Sequence, residues 1–207
     1  MYFVNLETKE ILTAHEVMQA NPNVSFPNSS WDDTILASIG YANLDYPETQ
    51  PTYTKFEKIV DAEPTIIDGK WVRTLVVESI VPADAIELVE FITKEKLTLK
   101  AEVTNIKWDR EKLGLGYNGM IISTSRESQA MISGVYSALK NGLLTSVDWK
   151  IDDDTWVVLT LVEMEPIAQA VATYVQHLFT TEKNHHQAIE ALATVADIEA
   201  YDVYLNW

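Results

Sequence analysis

The stretch TIIDGKWVRTLVVESIV, residues 65 to 81, decides the fold prediction for the first part of the chain. Apolar residues alternate along it on both sides of Asp68-Gly69, a pattern typical of two strands joined by a tight turn. Both central residues of a type I′ turn need a positive φ, and an Asp-Gly pair tolerates that backbone well. The sequence therefore predicts a β-hairpin here.

The residues before this hairpin predict further short strands. Residues 2–6, YFVNL, are typical of a strand, and ILTAHEVMQA (11–20) of a strand end that runs into a short helix. Ser30 precedes WDDTILASI, which predicts a short helix with Ser30 as its N-cap and Gly40 as its stop. We therefore expect an N-terminal β-rich module over residues 1–82.

A long helix is predicted directly after the hairpin. Residues 83–112 contain neither glycine nor proline, and Gly114 is placed to end the helix. Residues 97–103 also alternate, which leaves a strand over that part as an alternative, but the length of the run favours a helix. We interpret 83–112 as a connecting helix. The positions that step by three and four are Val89, Ile92, Lys96, Leu99, Val103 and Ile106.

Residues 113–207 predict a module of β-hairpins packed on two helices, which makes the whole chain α+β. Ser125 is placed to cap one helix, and a hairpin with Asp152–Asp154 at its turn follows that helix. Pro166 suits the first turn of the last long helix. That helix has a heptad-like seam of Ile167, Val171, Tyr174, Leu178, Thr181, His185, Ala188 and Leu192.

A literal G-x-G-x-x-G occurs in EKLGLGYNGMIISTSRES, residues 111–128. A dinucleotide fingerprint needs a strand before the glycines and a helix that opens on them. Here a predicted helix precedes the glycines and a strand follows them. We therefore expect Gly114 to end a helix and Asn118-Gly119 to form a turn, with no nucleotide bound.

Composition excludes several functional classes. The formal net charge is −16, which disfavours binding to nucleic acid and to anionic membrane surfaces. There is no cysteine, so thiol catalysis, disulfides and thiolate metal sites are excluded. No apolar run reaches the length of a membrane-spanning helix, and the first ten residues do not resemble a signal peptide.

We identify no catalytic, cofactor-binding or metal-binding residues from the sequence. The DDDTW stretch (152–156) lacks the alternating ligands and the central glycine of an EF-hand loop. His185 and His186 are adjacent, so on a helix their rings point about 100° apart and do not converge on a metal. We predict that the protein is not an enzyme.

The order of the motifs in the second half resembles a domain common at the C-termini of phage tail-fibre assembly proteins. The shared features are the YNG turn, Arg126 with Ser128, the hairpin residue Trp149, and an I-x-A-L-x-T-x-x-D-I run. The first half resembles a tail-fibre accessory module in its NPNVSFP segment and its DGKWV hairpin. The resemblance spans residues 15–205.

This resemblance implies a non-enzymatic role in a phage tail. The chain would be a structural part of the fibre apparatus or a chaperone of fibre assembly, with tail-fibre or baseplate proteins as partners and a homo-oligomer as a further possibility. It would be located in the virion tail, or in the host cytoplasm during assembly. The resemblance brings no catalytic residues.

Two alternatives remain open at this stage. The two helical seams are candidate interaction faces, but they could instead pack on each other within one chain. The chain could also be a receptor-binding tail protein that grips host glycans with Trp31, Tyr41, Tyr46 and Tyr53, if those rings are exposed together. The candidate interaction residues are Ile167, Val171, Tyr174, Leu178, His185, Leu192, Val89, Ile92, Leu99 and Val103.

Overall fold

The computed structural model describes residues 1–26, 31–150 and 155–207. The chain divides into two compact units, Met1–Pro82 and Ala83–Trp207. The first unit is rich in strands and the second is mainly helical, so the predicted α+β class is confirmed. The predicted boundary at residue 82 coincides with this division, and the helix predicted over 83–112 lies inside the second unit.

The first unit is built around a five-stranded sheet with the order β2-β1-β3-β5-β4. All neighbouring strands are antiparallel except β3 and β5, which are parallel. Its elements in chain order are β1 (Tyr2–Asn5), β2 (Ile11–Thr13), α1 (Ala14–Ala20), α2 (Asp33–Ser38), β3 (Tyr41–Asp45), β4 (Glu57–Ile67) and β5 (Lys70–Ser79).

The predicted hairpin is formed by β4 and β5. Asp68 and Gly69 have φ values of 49° and 78°, as the turn requires. The strand register shifts between Ala62 and Thr65, and Pro64 lies buried at this irregularity. Proline cannot donate a ladder hydrogen bond, so its position at a bulge of an edge strand fits its chemistry.

The core of the first unit lies between the sheet and its two helices. Phe3, Val17, Leu36 and Tyr41 form the buried cluster. The residue that caps α2 differs from the prediction: the Asp32 carboxylate accepts a hydrogen bond from the Thr34 N–H at 2.6 Å. Aspartate is as good an N-cap as serine, so it can start the helix itself. The predicted cap, Ser30, lies outside the described residues.

The second unit combines long helices with two β-hairpins. The helices α3 and α5 pack on each other, and α4 packs on α5. The elements in chain order are α3 (Ala85–Leu113), β6 (Leu115–Tyr117), β7 (Met120–Ile122), α4 (Arg126–Lys140), β8 (Val147–Lys150), β9 (Trp156–Leu159), α5 (Leu161–Ala191) and α6 (Val195–Ala200).

Helix α3 follows the prediction along its whole length. The Asp84 carboxylate caps its first turn by accepting from the N–H of Ile86 at 2.8 Å. The helix then runs for 29 residues, about 43 Å, without the alternative strand over 97–103. Gly114 ends it with a φ of 84°, and Asn118-Gly119 forms the turn between β6 and β7. Gly114 and Asn118-Gly119 therefore have the backbone roles that were predicted for them.

Helix α5 begins earlier than predicted. We expected it to start near Glu165-Pro166, but its first residue is Leu161, and Pro166 lies inside the helix. The backbone N–H of Thr160 donates to the Glu163 carboxylate at 2.9 Å, which fixes the first turn. Strand β9 therefore stops at Leu159, and the proline costs the helix one hydrogen bond.

Both hairpins and α4 close over one side of α5. The core there consists of Ile132, Leu139, Leu159, Met164 and Val171. The predicted pairing of β8 with β9 is confirmed. Their turn, with Asp152–Asp154, lies outside the described residues.

Candidate interaction sites

The ten predicted interface residues fall into three classes of exposure. Most of them lie inside the second unit and are not available as surface. The buried residues are Val171, Leu178, His185, Leu99 and Val103. The half-buried residues are Ile167, Tyr174, Leu192 and Ile92. Val89 is exposed.

Polar contacts define how the two seams meet. The Tyr174 hydroxyl donates to the carbonyl of Arg110 at 2.9 Å, and the Thr104 hydroxyl donates to the Glu182 carboxylate at 2.7 Å. The Lys96 ammonium donates to the carbonyl of Glu190 at 2.8 Å. In these three contacts the residue number increases along α3 while it decreases along α5. The two helices are therefore antiparallel. The structure thus shows the intrachain packing that the sequence left as an alternative.

The first turns of α3 carry an uncovered apolar stripe. Because Lys96 already lies opposite the end of α5, the helix before it extends beyond its partner. Ile86, Val89 and Leu97 are 73%, 64% and 62% exposed. Their spacing of three and eight residues places them on one side of the helix. We call these three residues the α3 stripe.

A buried ion pair lies further along α3. Lys107 and Glu111 are only 1% and 3% exposed, and the lysine Nζ is 3.2 Å from a carboxylate oxygen of Glu111. The second oxygen of Glu111 accepts from the Gln129 amide at 2.8 Å. The Lys107 ammonium also lies 4.2 Å from the ring centre of Phe179. The pair thus connects α3 with α4 and α5.

The sequence contains one signal that this pair is buried. Positions 99, 103, 107 and 111 are spaced by four, so Lys107 and Glu111 continue the buried stripe of Leu99 and Val103. A charged pair at this spacing normally indicates a solvated helix face. Here the hairpin β6–β7 and α4 cover it: the Thr124 hydroxyl donates to the backbone carbonyl of Glu111.

His185 anchors the segment that follows α6. Its Nε2 lies 2.9 Å from the carbonyl of Leu205, and its Nδ1 lies 2.8 Å from the Tyr201 hydroxyl. A carbonyl can only accept, so the contact with Leu205 places a proton on Nε2. Burial raises the pKa of the Tyr201 hydroxyl, which keeps it protonated as a donor. Trp207 stacks on the imidazole of His185, with ring centres 5.4 Å apart.

The neighbouring histidine takes a different partner. His186 Nε2 lies 3.2 Å from the carbonyl of Lys100, on the α3 side. Within residues 1–26, 31–150 and 155–207, no group of three or more histidine, aspartate or glutamate side chains is placed to hold a metal ion. No helix in that same part of the chain is long and apolar enough to cross a membrane.

The aromatic residues proposed for glycan binding are partly assembled. Trp31, Tyr41 and Tyr46 line one cavity of about 790 Å³ in the first unit, and Tyr53 does not. Tyr41 is buried, and Trp31 is stacked on Phe3 with ring centres 4.5 Å apart. Tyr46 is 55% exposed. The four rings are therefore not exposed together, but three of them share a cavity.

An arginine–aspartate pair supports the sheet beside this cavity. Arg73 of β5 donates to Asp61 of β4 through two nitrogens, one of them at 2.6 Å. These bonds lower the pKa of the Asp61 carboxyl. Burial of the carboxyl raises the pKa, but it offsets only part of this decrease. A carboxyl with a depressed folded-state pKa stabilises the fold above its unfolded pKa of about 4. That stability is lost as the pH falls through the folded-state value.

Replacing Asp61 with asparagine is expected to reduce stability in a pH-dependent way. The difference in unfolding temperature between wild type and Asp61→Asn should be largest near pH 7, and it should shrink as the pH falls below 4. Calorimetric unfolding scans between pH 7 and pH 3 measure this difference. A difference that stays constant over that range would show that the pair contributes no proton-linked stability.

Comparison with known proteins concerns mainly the second unit. A family model described as a domain of unknown function (DUF4376) matches residues 94–203, which is more than half of the 207-residue chain. The matched span includes α3 from residue 94 onward, all of α5, the buried ion pair and both hairpins of the second unit. No curated protein and no solved structure matches the chain. The chain belongs to the DUF4376 family.

Proposed function

We propose that the protein is a non-enzymatic component of a phage tail that acts by binding another tail protein. It is either a structural part of the fibre apparatus or a chaperone of fibre assembly. The order of motifs over residues 15–205, which resembles that of tail-fibre assembly and accessory proteins, supports the assignment to a tail. The observation that carries the binding role is the α3 stripe.

The α3 stripe has the chemistry of a protein-binding surface. Ile86, Val89 and Leu97 are large aliphatic side chains with most of their surface in water. Burial of such a side chain stabilises a complex by about 1.5–3 kcal/mol before the costs of association. The stripe follows one helix, so a helix or a sheet of the partner can pack along it.

The partner is expected to be a fibre or baseplate protein of the same tail. Two acidic side chains, Glu87 and Glu90, lie beside Ile86 and Val89 on α3. A partner with basic residues next to an apolar strip would match these two carboxylates. Self-association through the stripe is the competing outcome.

Charge placed in the α3 stripe is expected to abolish partner binding. The test variant carries Ile86→Glu, Val89→Glu and Leu97→Glu. The matched control carries Leu113→Glu, Leu143→Glu and Val158→Glu, three equally exposed apolar positions elsewhere in the same unit. Tagged wild type and control should co-purify with a fibre or baseplate protein when all are produced together, and the stripe variant should not.

Two results would contradict this proposal. Equal co-purification by the stripe variant and the wild type would exclude the stripe as the binding surface. If light scattering shows a homo-oligomer that the stripe substitutions dissolve, and no tail protein co-purifies, the stripe is a self-association surface instead.

A further inference from the structure

The second unit contains two Asn-Gly pairs, Asn118-Gly119 and Asn141-Gly142. Because glycine has no side chain, the backbone nitrogen that follows such an asparagine can approach the asparagine Cγ with little steric hindrance. Attack of that nitrogen on the Cγ closes a five-membered succinimide ring and releases ammonia. Water then opens the ring and leaves an aspartate or an isoaspartate. The two pairs share this chemistry and differ in their surroundings.

At Asn118-Gly119 both reacting groups are unbonded. The pair forms the exposed two-residue turn between β6 and β7. Within residues 1–26, 31–150 and 155–207, neither the Asn118 amide nor the Gly119 N–H has a hydrogen-bond partner. Ring closure requires rotation about the Asn118 Cα–C bond, which opens the adjacent ladder pair of Tyr117 with Met120. The hairpin has only three such pairs, so this opening is local.

At Asn141-Gly142 the same two groups are held by the end of α4. The Asn141 side-chain amide donates to the backbone carbonyl of Ser137 at 2.8 Å. The Gly142 N–H donates to the carbonyl of Leu139 at 3.1 Å. Both bonds must open before the Gly142 nitrogen can reach the Asn141 Cγ, because the first one fixes the group that is attacked and the second one fixes the group that attacks.

We infer that Asn118 is a site of spontaneous deamidation in the folded protein, and that α4 protects Asn141 from the same reaction. The reaction needs only water as a co-reactant. The inference rests on the second unit alone, so it stands or falls independently of the tail assignment and of the α3 stripe.

The two products at position 118 have different consequences for the fold. Asn118 has a φ of 48°, and aspartate tolerates such a backbone almost as well as asparagine does. Isoaspartate instead carries the main chain through the former side chain, which lengthens the turn by one atom. Because the length of the turn sets the register of a hairpin, isoaspartate displaces β6 relative to β7. That hairpin covers the buried ion pair of Lys107 and Glu111, so isoaspartate weakens the second unit.

Peptide mass spectrometry of the aged protein tests the inference. The full chain is incubated in mildly alkaline buffer at physiological temperature and digested with trypsin, which separates Asn118 (peptide 113–126) from Asn141 (peptide 141–150). Asn118 should deamidate at least about fivefold faster than Asn141, because hydrogen bonds that hold the reacting groups must open at Asn141. Chromatography of peptide 113–126 should resolve an aspartate form and an isoaspartate form.

The matched control is the same chain unfolded in guanidinium chloride. Unfolding removes the hydrogen bonds of α4, so the two asparagines should then deamidate at similar rates. The inference is overturned if Asn118 stays intact in the folded chain, or if Asn141 deamidates as fast as Asn118 there. It is also overturned if Asn118 keeps the same advantage in the unfolded chain, because the difference would then come from neighbouring residues in the sequence and not from α4.

Discussion

Replacing Gly114 with alanine is expected to destabilise the second unit by about 3–4 kcal/mol. Gly114 has φ 84° and ψ 176°, a backbone region that is essentially restricted to glycine. A Cβ added there would lie 2.8 Å from the backbone carbonyl oxygen of Ile122 and 2.8 Å from a methyl carbon of Ile121. Backbone strain and a clash with the main chain of β7 therefore act together.

Gly116 provides the matched control for this substitution. It lies two residues away in β6, has no positive φ, and an added Cβ would meet no atom within 4 Å. Gly116→Ala should change the free energy of unfolding by less than about 1 kcal/mol. Urea unfolding followed by circular dichroism measures both variants. Equal effects of the two substitutions would show that the backbone at Gly114 is not constrained as described.

Loss of the buried lysine at position 107 is expected to cost about 3–5 kcal/mol of stability. Lys107→Ala leaves the Glu111 carboxylate buried, with only the Gln129 amide as its side-chain partner. An unpaired buried charge is more costly than the pair itself is favourable. The expected result is a large drop in the urea midpoint of the second unit.

Two further variants distinguish the cost of leaving a buried charge unpaired from the cost of losing an ion pair. The double variant Lys107→Met and Glu111→Gln removes both charges and keeps an acceptor for Gln129, so most of the lost stability should return. Lys112→Ala breaks an exposed pair with Asp109 on the same helix and should cost less than about 1 kcal/mol. If Lys107→Ala were as mild as Lys112→Ala, the pair would be accessible to water.

The parts of the fold that follow from local patterns were predictable. The three-and-four spacing and Gly114 defined α3, and Asp68-Gly69 defined the β4–β5 hairpin. The start of α5 was missed because Pro166 is a stronger local signal than the Thr160–Glu163 pair, which also fits a strand end. In this chain the intrachain contacts of α5 outweigh one hydrogen bond lost at the proline.

The candidate sites depended on contacts that no local pattern encodes. The parallel pairing of β3 with β5 joins strands that are not neighbours in sequence, and both strands contribute residues to the lining of the cavity in the first unit. Lys107 and Glu111 have the i,i+4 spacing of a pair on a solvated helix face. They are buried because α4 and the β6–β7 hairpin cover them. Val89 belonged to the predicted seam, and it is exposed because α3 extends beyond the end of α5 at that point.

The central claim is that the chain is a phage tail component that binds another tail protein. The most direct test of this proposal is quantitative mass spectrometry of purified particles of the phage that is proposed to encode the chain, together with the unassembled fibre and baseplate proteins of that phage. The account predicts either a fixed copy number in the particles or a stable complex with one of those proteins. Absence from the particles, with no binding to any tail protein, would contradict it.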